Sequence, residues 1–180
     1  FIIAADEEMI RSAVRVHFGE LQITNSLVTS YFDKLIQVPL RVPRLGTNEV
    51  KAYLALLFGD LSTRKELLTV DEFNSAKESI LEKLKKPWEG GLTYENLKSA
   101  YRDKTELLSR LSLAEEISHF LTSSDEILGN PRLIKRFMNN LIIREKIALS
   151  QGLTIDFEVL VKIQLFERCA TPSEFEYLTK

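Results

Sequence analysis

One cysteine, two methionines and two histidines are all that this 180-residue chain holds of the residue types most used in redox and soft-metal chemistry. The single Cys169 excludes an intrachain disulfide framework and a cysteine-based zinc site, the pattern expected for a reducing, cytosolic compartment. An excess of either charge is also missing: 24 Lys+Arg face 26 Asp+Glu, a formal net charge of -2. No global field therefore draws the chain to nucleic acid or to an anionic membrane, and any polyanion site must be local. No apolar run approaches the ~18 residues of a membrane span, and the apolar start has no basic region before it that would mark a signal peptide. Fixed-period repeats and low-complexity tracts are absent. So are a His-Glu-x-x-His pair, a Ser/His/Asp set and a metal-ligand cluster.

Glycine followed by lysine is missing too. Glycines stand at 19, 46, 59, 90, 91, 129 and 152, and none precedes a lysine. A Walker A loop needs Gly-Lys-Ser/Thr so that amides, a lysine and a hydroxyl surround the phosphates. A self-sufficient P-loop ATPase is therefore excluded for this sequence.

The pattern that is present is mainly α, with a partial α/β portion over residues 1–45 and a helical bundle over 46–180. Phe1 to Ala5 is a continuous apolar run, the signature of a strand buried on both faces. Val38 to Val42, bounded by Pro39 and Pro43, reads as a second short strand. Two such strands do not make a stable sheet, and the chain opens on an apolar residue without Met. The expectation is a segment of a longer protein. Between the strands, Glu7–Phe18 and Ser26–Ile36 carry apolar residues at helical spacing. Helices are then expected over Thr47–Phe58, stopped by Gly59; over Val70–Leu84, with Phe73, Ala76, Ile80, Leu81 and Leu84 on one face; and after Thr93. Leu107–Leu121, Pro131–Ser150, Ile155–Cys169 and Ser173–Thr179 complete the series. Pro87, Gly90 and Gly91 form the clearest internal break, with Trp88 expected to anchor that turn and Cys169 to be a buried thiol.

Two features bear on chemistry. Asp6 ends the first apolar run and precedes Glu7 and Glu8, which resembles a Walker B strand superficially; it is equally well placed to cap the helix that follows. The segment Asn130-Pro131-Arg132 is more informative. Asn130 is a good N-cap and Pro131 a good first helical residue. Steps of 100° then put Leu133, Ile134, Phe137, Met138, Leu141, Ala148 and Leu149 on one side. Arg132, Lys135, Arg136, Asn139, Asn140 and Lys146 lie on the other, with no acid among them, while Glu145 falls on the apolar side. Arg132 in the first turn opposes the helix dipole at a cost of ~0.3–1 kcal/mol. Either the stripe is solvated or salt-bridged elsewhere, or it meets an anionic ligand such as a nucleotide phosphate.

Three stretches together resemble the KAP family of P-loop NTPases. Phe1-Ile-Ile-Ala-Ala-Asp6 resembles the family's sensor-1 strand. Tyr31-Phe-Asp-Lys34-Leu-Ile-Gln37-Val-Pro39-Leu-Arg41-Val-Pro43 resembles the block with an aromatic and a lysine before an IQVP strand. Gly129-Asn-Pro-Arg132-Leu-Ile-Lys135-Arg136-Phe-Met-Asn139 resembles the family's basic helix, and Leu160 to Arg168 the helix after it. The resemblance implies the C-terminal part of a KAP NTPase domain, lacking both Walker motifs: the end of the nucleotide-binding core, then a helical lid. It implies ATP with magnesium, an upstream P-loop half as partner, and a role in bacterial phage defence. Homo-oligomers or an effector protein are further expected partners. Arg132 would be a sensor-2 arginine, supported by Lys135 and Arg136, with Asp6 in the sensor-1 region and Lys34 where an intersubunit cationic finger sits. The alternative is a non-enzymatic helical module that binds an acidic protein or nucleic acid through the basic face.

Overall fold

The computed structural model describes residues 6–17, 30, 31, 33, 34, 36, 38, 40 and 42–179. The chain divides into two compact units, Phe1–Pro43 and Arg44–Lys180.

In the first unit, helix α1 spans Glu7–His17. Asp6 caps it: its Oδ1 accepts the backbone N–H groups of Glu8 at 2.9 Å and Met9 at 3.2 Å, which satisfies two of the helix's orphan donors. Ile10 and Val14 are half-buried, whereas Met9 is exposed. Ser30, Tyr31, Asp33 and Lys34 are helical, as the periodicity predicts. The expected Phe1–Ala5 strand lies outside the described residues. The expected Val38–Val42 strand does not form at its described positions: Val38, Leu40 and Val42 are exposed, and no strand occurs among the described residues. Pro39 and Pro43 lack two ladder donors, and among the described residues their neighbours have no partner strand to pair with. The Val38–Val42 strand of the expected fold is corrected accordingly, and the described residues are mainly helical.

The second unit is all helix: α2 Thr47–Arg64, α3 Val70–Leu84, a 3-10 turn Pro87–Glu89, α4 Tyr94–Ala100, α5 Thr105–Ser123, α6 Pro131–Ser150, α7 Phe157–Cys169 and α8 Pro172–Thr179. Its starts are written in the sequence. Thr69 and Glu72 form a reciprocal capping box ahead of α3, and Thr93 and Asn96 form one ahead of α4. Asn130 caps α6 and Asp156 caps α7.

Helix α2 is the centre. It buries Val50, Leu54, Ala55 and Phe58 and packs most extensively against Leu107, Leu111, Ala114, Ile117 and Leu121 of α5. Burying side chains of this size contributes roughly 1.5–3 kcal/mol each. Gly59 does not stop α2. A Cβ there would lie 2.3 Å from Tyr101 Oη and 2.9 Å from the Phe73 ring, so the glycine lets α3 and the end of α4 approach closely. Tyr101 donates to the Ala55 carbonyl at 2.9 Å, and burial pushes its phenol pKa upward.

Lys51 lies buried on α2, its Nζ donating to the Leu92 carbonyl at 2.6 Å and to Glu115 Oε1 at 2.7 Å. One cation thereby joins α2, α5 and the loop before α4. Three side chains depart from expectation. Leu81 is exposed because it falls at the margin of the stripe centred on Ala76 and Ile80. Trp88 is 77% exposed, its short 3-10 turn leaving the ring outside the packed surface. Cys169 is exposed at the last residue of α7, with Ser124 Oγ 3.3 Å from its sulfur.

Candidate functional site

The start of α6 is built by its neighbours. Gly129 has φ +64° and its N–H reaches the Leu121 carbonyl at 2.9 Å, closing the end of α5. A Cβ on Gly129 would meet the Leu45 carbonyl oxygen at 2.3 Å, so both conformation and space require glycine. Asn130 Oδ1 then accepts the Arg132 N–H at 3.0 Å and Pro131 occupies the first helical position. The helix leaves this corner buried along Ile134, Phe137, Met138, Leu141 and Ala148. Leu149, expected on the same side, is exposed instead, because the bundle does not cover the helix's last turn there.

Arg132, Lys135, Arg136, Asn139, Asn140 and Lys146 are all exposed. Among the described residues, none of these four cations has an acid within ion-pair distance, although nine ion pairs occur elsewhere in the second unit. Two acids on α6 and α7 are already engaged. Glu145 accepts from Arg110 of α5 at 3.2 Å, and that guanidinium stacks 4.4 Å from the Phe157 ring centroid. Glu167 of α7 takes both arms of Arg144 at 2.8 and 3.2 Å. The free face of α6 is thus cationic, water-facing and preorganised by a well-capped helix.

Arg132, Lys135 and Arg136 share this helix. Asp6 and Lys34 belong to the other unit; Asp6 holds its cap through Oδ1, and Lys34 is an exposed helical residue. A groove of about 560 Å³ runs between α6 and α7, lined by Arg136, Asn139, Asn140, Gln164 and Arg168 among others. Gln164 and Arg168 were not legible as site residues from the sequence. The one available signal was Gln164 standing a single turn after the apolar pair Leu160 and Val161, at a position that a helix of this phase buries. Among the described residues, no group of three or more His, Cys, Asp or Glu is placed to hold a metal ion, and no helix is long and apolar enough to cross a membrane.

Among the described residues, fold and site define a mainly helical chain with a cationic, unpaired face on α6. The model of the KAP family P-loop domain matches residues 1–148, most of the chain, so the chain belongs to the KAP family of P-loop NTPases. Neither curated proteins nor solved structures yield a match to it.

Proposed function

We propose that this chain is the core-end and helical-lid portion of a KAP-type ATPase, with residues 1–45 completing the nucleotide-binding core and 46–180 forming the lid. The observation that carries this reading is the unpaired cationic face at the start of α6. Arg132 is its leading member: a guanidinium on a capped helix, without an acid partner, can form a charge-assisted, bidentate contact with a terminal phosphate. Lys135 and Arg136 add positive potential beside it. Loss of such a contact on hydrolysis removes the differential affinity that favours one lid position, which is how a local charge change becomes a movement.

In the same reading Asp6 acts near the nucleotide through the carboxylate oxygen that its cap leaves aside, and Lys34 acts as an intersubunit cation in a homo-oligomer. The phosphate cradle and the magnesium ligands do not fit this chain's described residues, which lack both a Gly-Lys pair and a carboxylate cluster. They belong to a P-loop half of the same NTPase domain, the partner this reading requires. An effector protein that reads lid position, a cytoplasmic location and service in phage defence complete the proposal.

The test is Arg132→Ala in the complete NTPase. A charged hydrogen bond is worth about 1.5–3 kcal/mol, so ATP turnover should fall about 10- to 100-fold with an unchanged circular-dichroism spectrum. Unaltered turnover sinks the sensor role. Affinity for an acidic partner or nucleic acid that drops steeply with salt, and stepwise with Lys135, Arg136 and Lys146, would instead favour a binding module.

A further inference from the structure

The groove between α6 and α7 carries chemistry that the Arg132 reading does not use. Gln164 is 5% exposed, yet its Oε1 has no hydrogen-bond partner; the Nε of Arg168, one helical turn further on, is likewise buried and unpartnered. Both residues line the groove, facing Arg136, Asn139 and Asn140 of α6. Leaving a buried acceptor and a buried cationic donor unsatisfied costs roughly 1–3 kcal/mol apiece, which a ligand making both bonds would recover.

The charge count narrows the ligand. Glu167, the acid in the groove, is neutralised by the two-armed bond from Arg144. Arg136 and Arg168 therefore remain as two uncompensated guanidinium groups, one from each helix, and a dianion balances them. The planar fork of arginine suits phosphoryl oxygens. Gln164 Oε1 asks for something different, an O–H or N–H donor close to that anion. Phe137 and Ile143 supply an apolar wall, and a space of about 560 Å³ is larger than a free phosphate needs and falls within the range of small-molecule sites.

We infer that the α6–α7 groove binds a small phosphomonoester of mononucleotide or sugar-phosphate size. The phosphoryl group meets Arg136 and Arg168, and a neighbouring hydroxyl or amino group donates to Gln164. This site is separate in its residues from the Arg132 sensor, except that Arg136 borders both, so it stands or falls on different measurements.

The experiment is isothermal titration of the 180-residue chain with adenosine 5′-monophosphate, ribose 5-phosphate and inorganic phosphate. At least one of the two esters should bind about 10-fold tighter than inorganic phosphate. Equal affinity for the esters assigns a sugar phosphate, and a preference for the adenylate assigns a mononucleotide. Arg168→Gln and Gln164→Leu should each weaken the ester about 10-fold. Lys77→Gln, the same charge change on an exposed position of α3, should leave it unaltered. Should Arg168→Gln fail to fold, Asn140→Asp, which adds a negative charge at an exposed groove position outside the Arg132 set, should weaken the ester and gives the same readout. The inference is overturned if no probe binds at about 10 mM, a weak-binding limit, if inorganic phosphate binds as well as the esters, or if the groove variants bind like the parent. None of these results bears on ATP turnover by Arg132→Ala.

Discussion

The helices from Thr47 to Ser123 and those from Pro131 to Thr179 use their side chains differently. In the first group α2 and α5 bury eight and seven residues, most of them apolar, and a close approach is made at Gly59. In the second, α7 buries only Leu160, Val161 and the polar Gln164, and a groove separates part of it from α6. Leucine-rich packing fixes one geometry; a charged and incompletely hydrogen-bonded seam leaves a surface with unmet bonding capacity. Stability and binding thus fall to neighbouring parts of one unit, and substitutions should separate them.

The largest effect is expected at Leu54, fully buried at the centre of α2. Leu54→Ala removes packing on all sides and should cost about 2–5 kcal/mol, whereas Ile163→Ala, at a half-exposed position of α7, should fall within about 0.5 kcal/mol of zero. Urea unfolding of the two variants checks this. Similar losses would remove the distinction between the two helix groups.

Gly59 comes next and isolates close approach from cavity formation. Alanine is the better helix former by about 1 kcal/mol, so an isolated helix would gain from Gly59→Ala. Here the new methyl meets both Tyr101 Oη and the Phe73 ring, and overpacking of this kind costs about 1–3 kcal/mol. Net destabilisation in thermal unfolding, relieved in part when Tyr101→Phe removes one of the two clashes, is the expected result. A stabilised Gly59→Ala would show that the Tyr101 contact yields freely.

These positions also mark what could be read in advance. The start of α6 was legible because local chemistry sets it, Asn130 as cap and Pro131 as first helical residue, and α3 was legible from the spacing of Phe73, Ala76 and Ile80 and the break at Pro87. The cationic face was legible from 100° steps and the lack of interspersed acids. Gly59 read as a stop, since only its tertiary partners Tyr101 and Phe73, the first 42 positions away, explain a glycine inside a helix. Lys51 gave no sign of burial, because its partner Glu115 lies 64 residues along the chain. The groove needed the pairing of α6 with α7, which no periodicity within either helix specifies. At its described positions the Val38–Val42 strand does not form for the complementary reason: its composition suits a strand, but a strand exists only through a neighbour.

The smallest expected effects compare two caps, one in each group. Glu72 accepts from the Thr69 N–H and hydroxyl and from Lys104 at 3.0 Å, and these bonds, the backbone one foremost, lower its pKa from 4.5 to about 2. Glu174 accepts from the Thr171 N–H and hydroxyl and is also held below its ordinary value, without a cation. A carboxylate with a depressed native pKa binds its proton more readily when unfolded, so its contribution is complete above pH 4.5 and is lost as pH falls toward 2. Glutamine preserves the geometry of a capping box while removing the charge. At pH 7, Glu72→Gln should therefore melt below the parent, by more than Glu174→Gln does. The Glu72 gap should close as pH is lowered from 4.5 to 2, because the parent's carboxylate then becomes neutral as well. A gap that stays constant with pH would place the benefit of Glu72 in shape alone, and equal gaps for the two variants would mean that Lys104 adds nothing to the cap of α3.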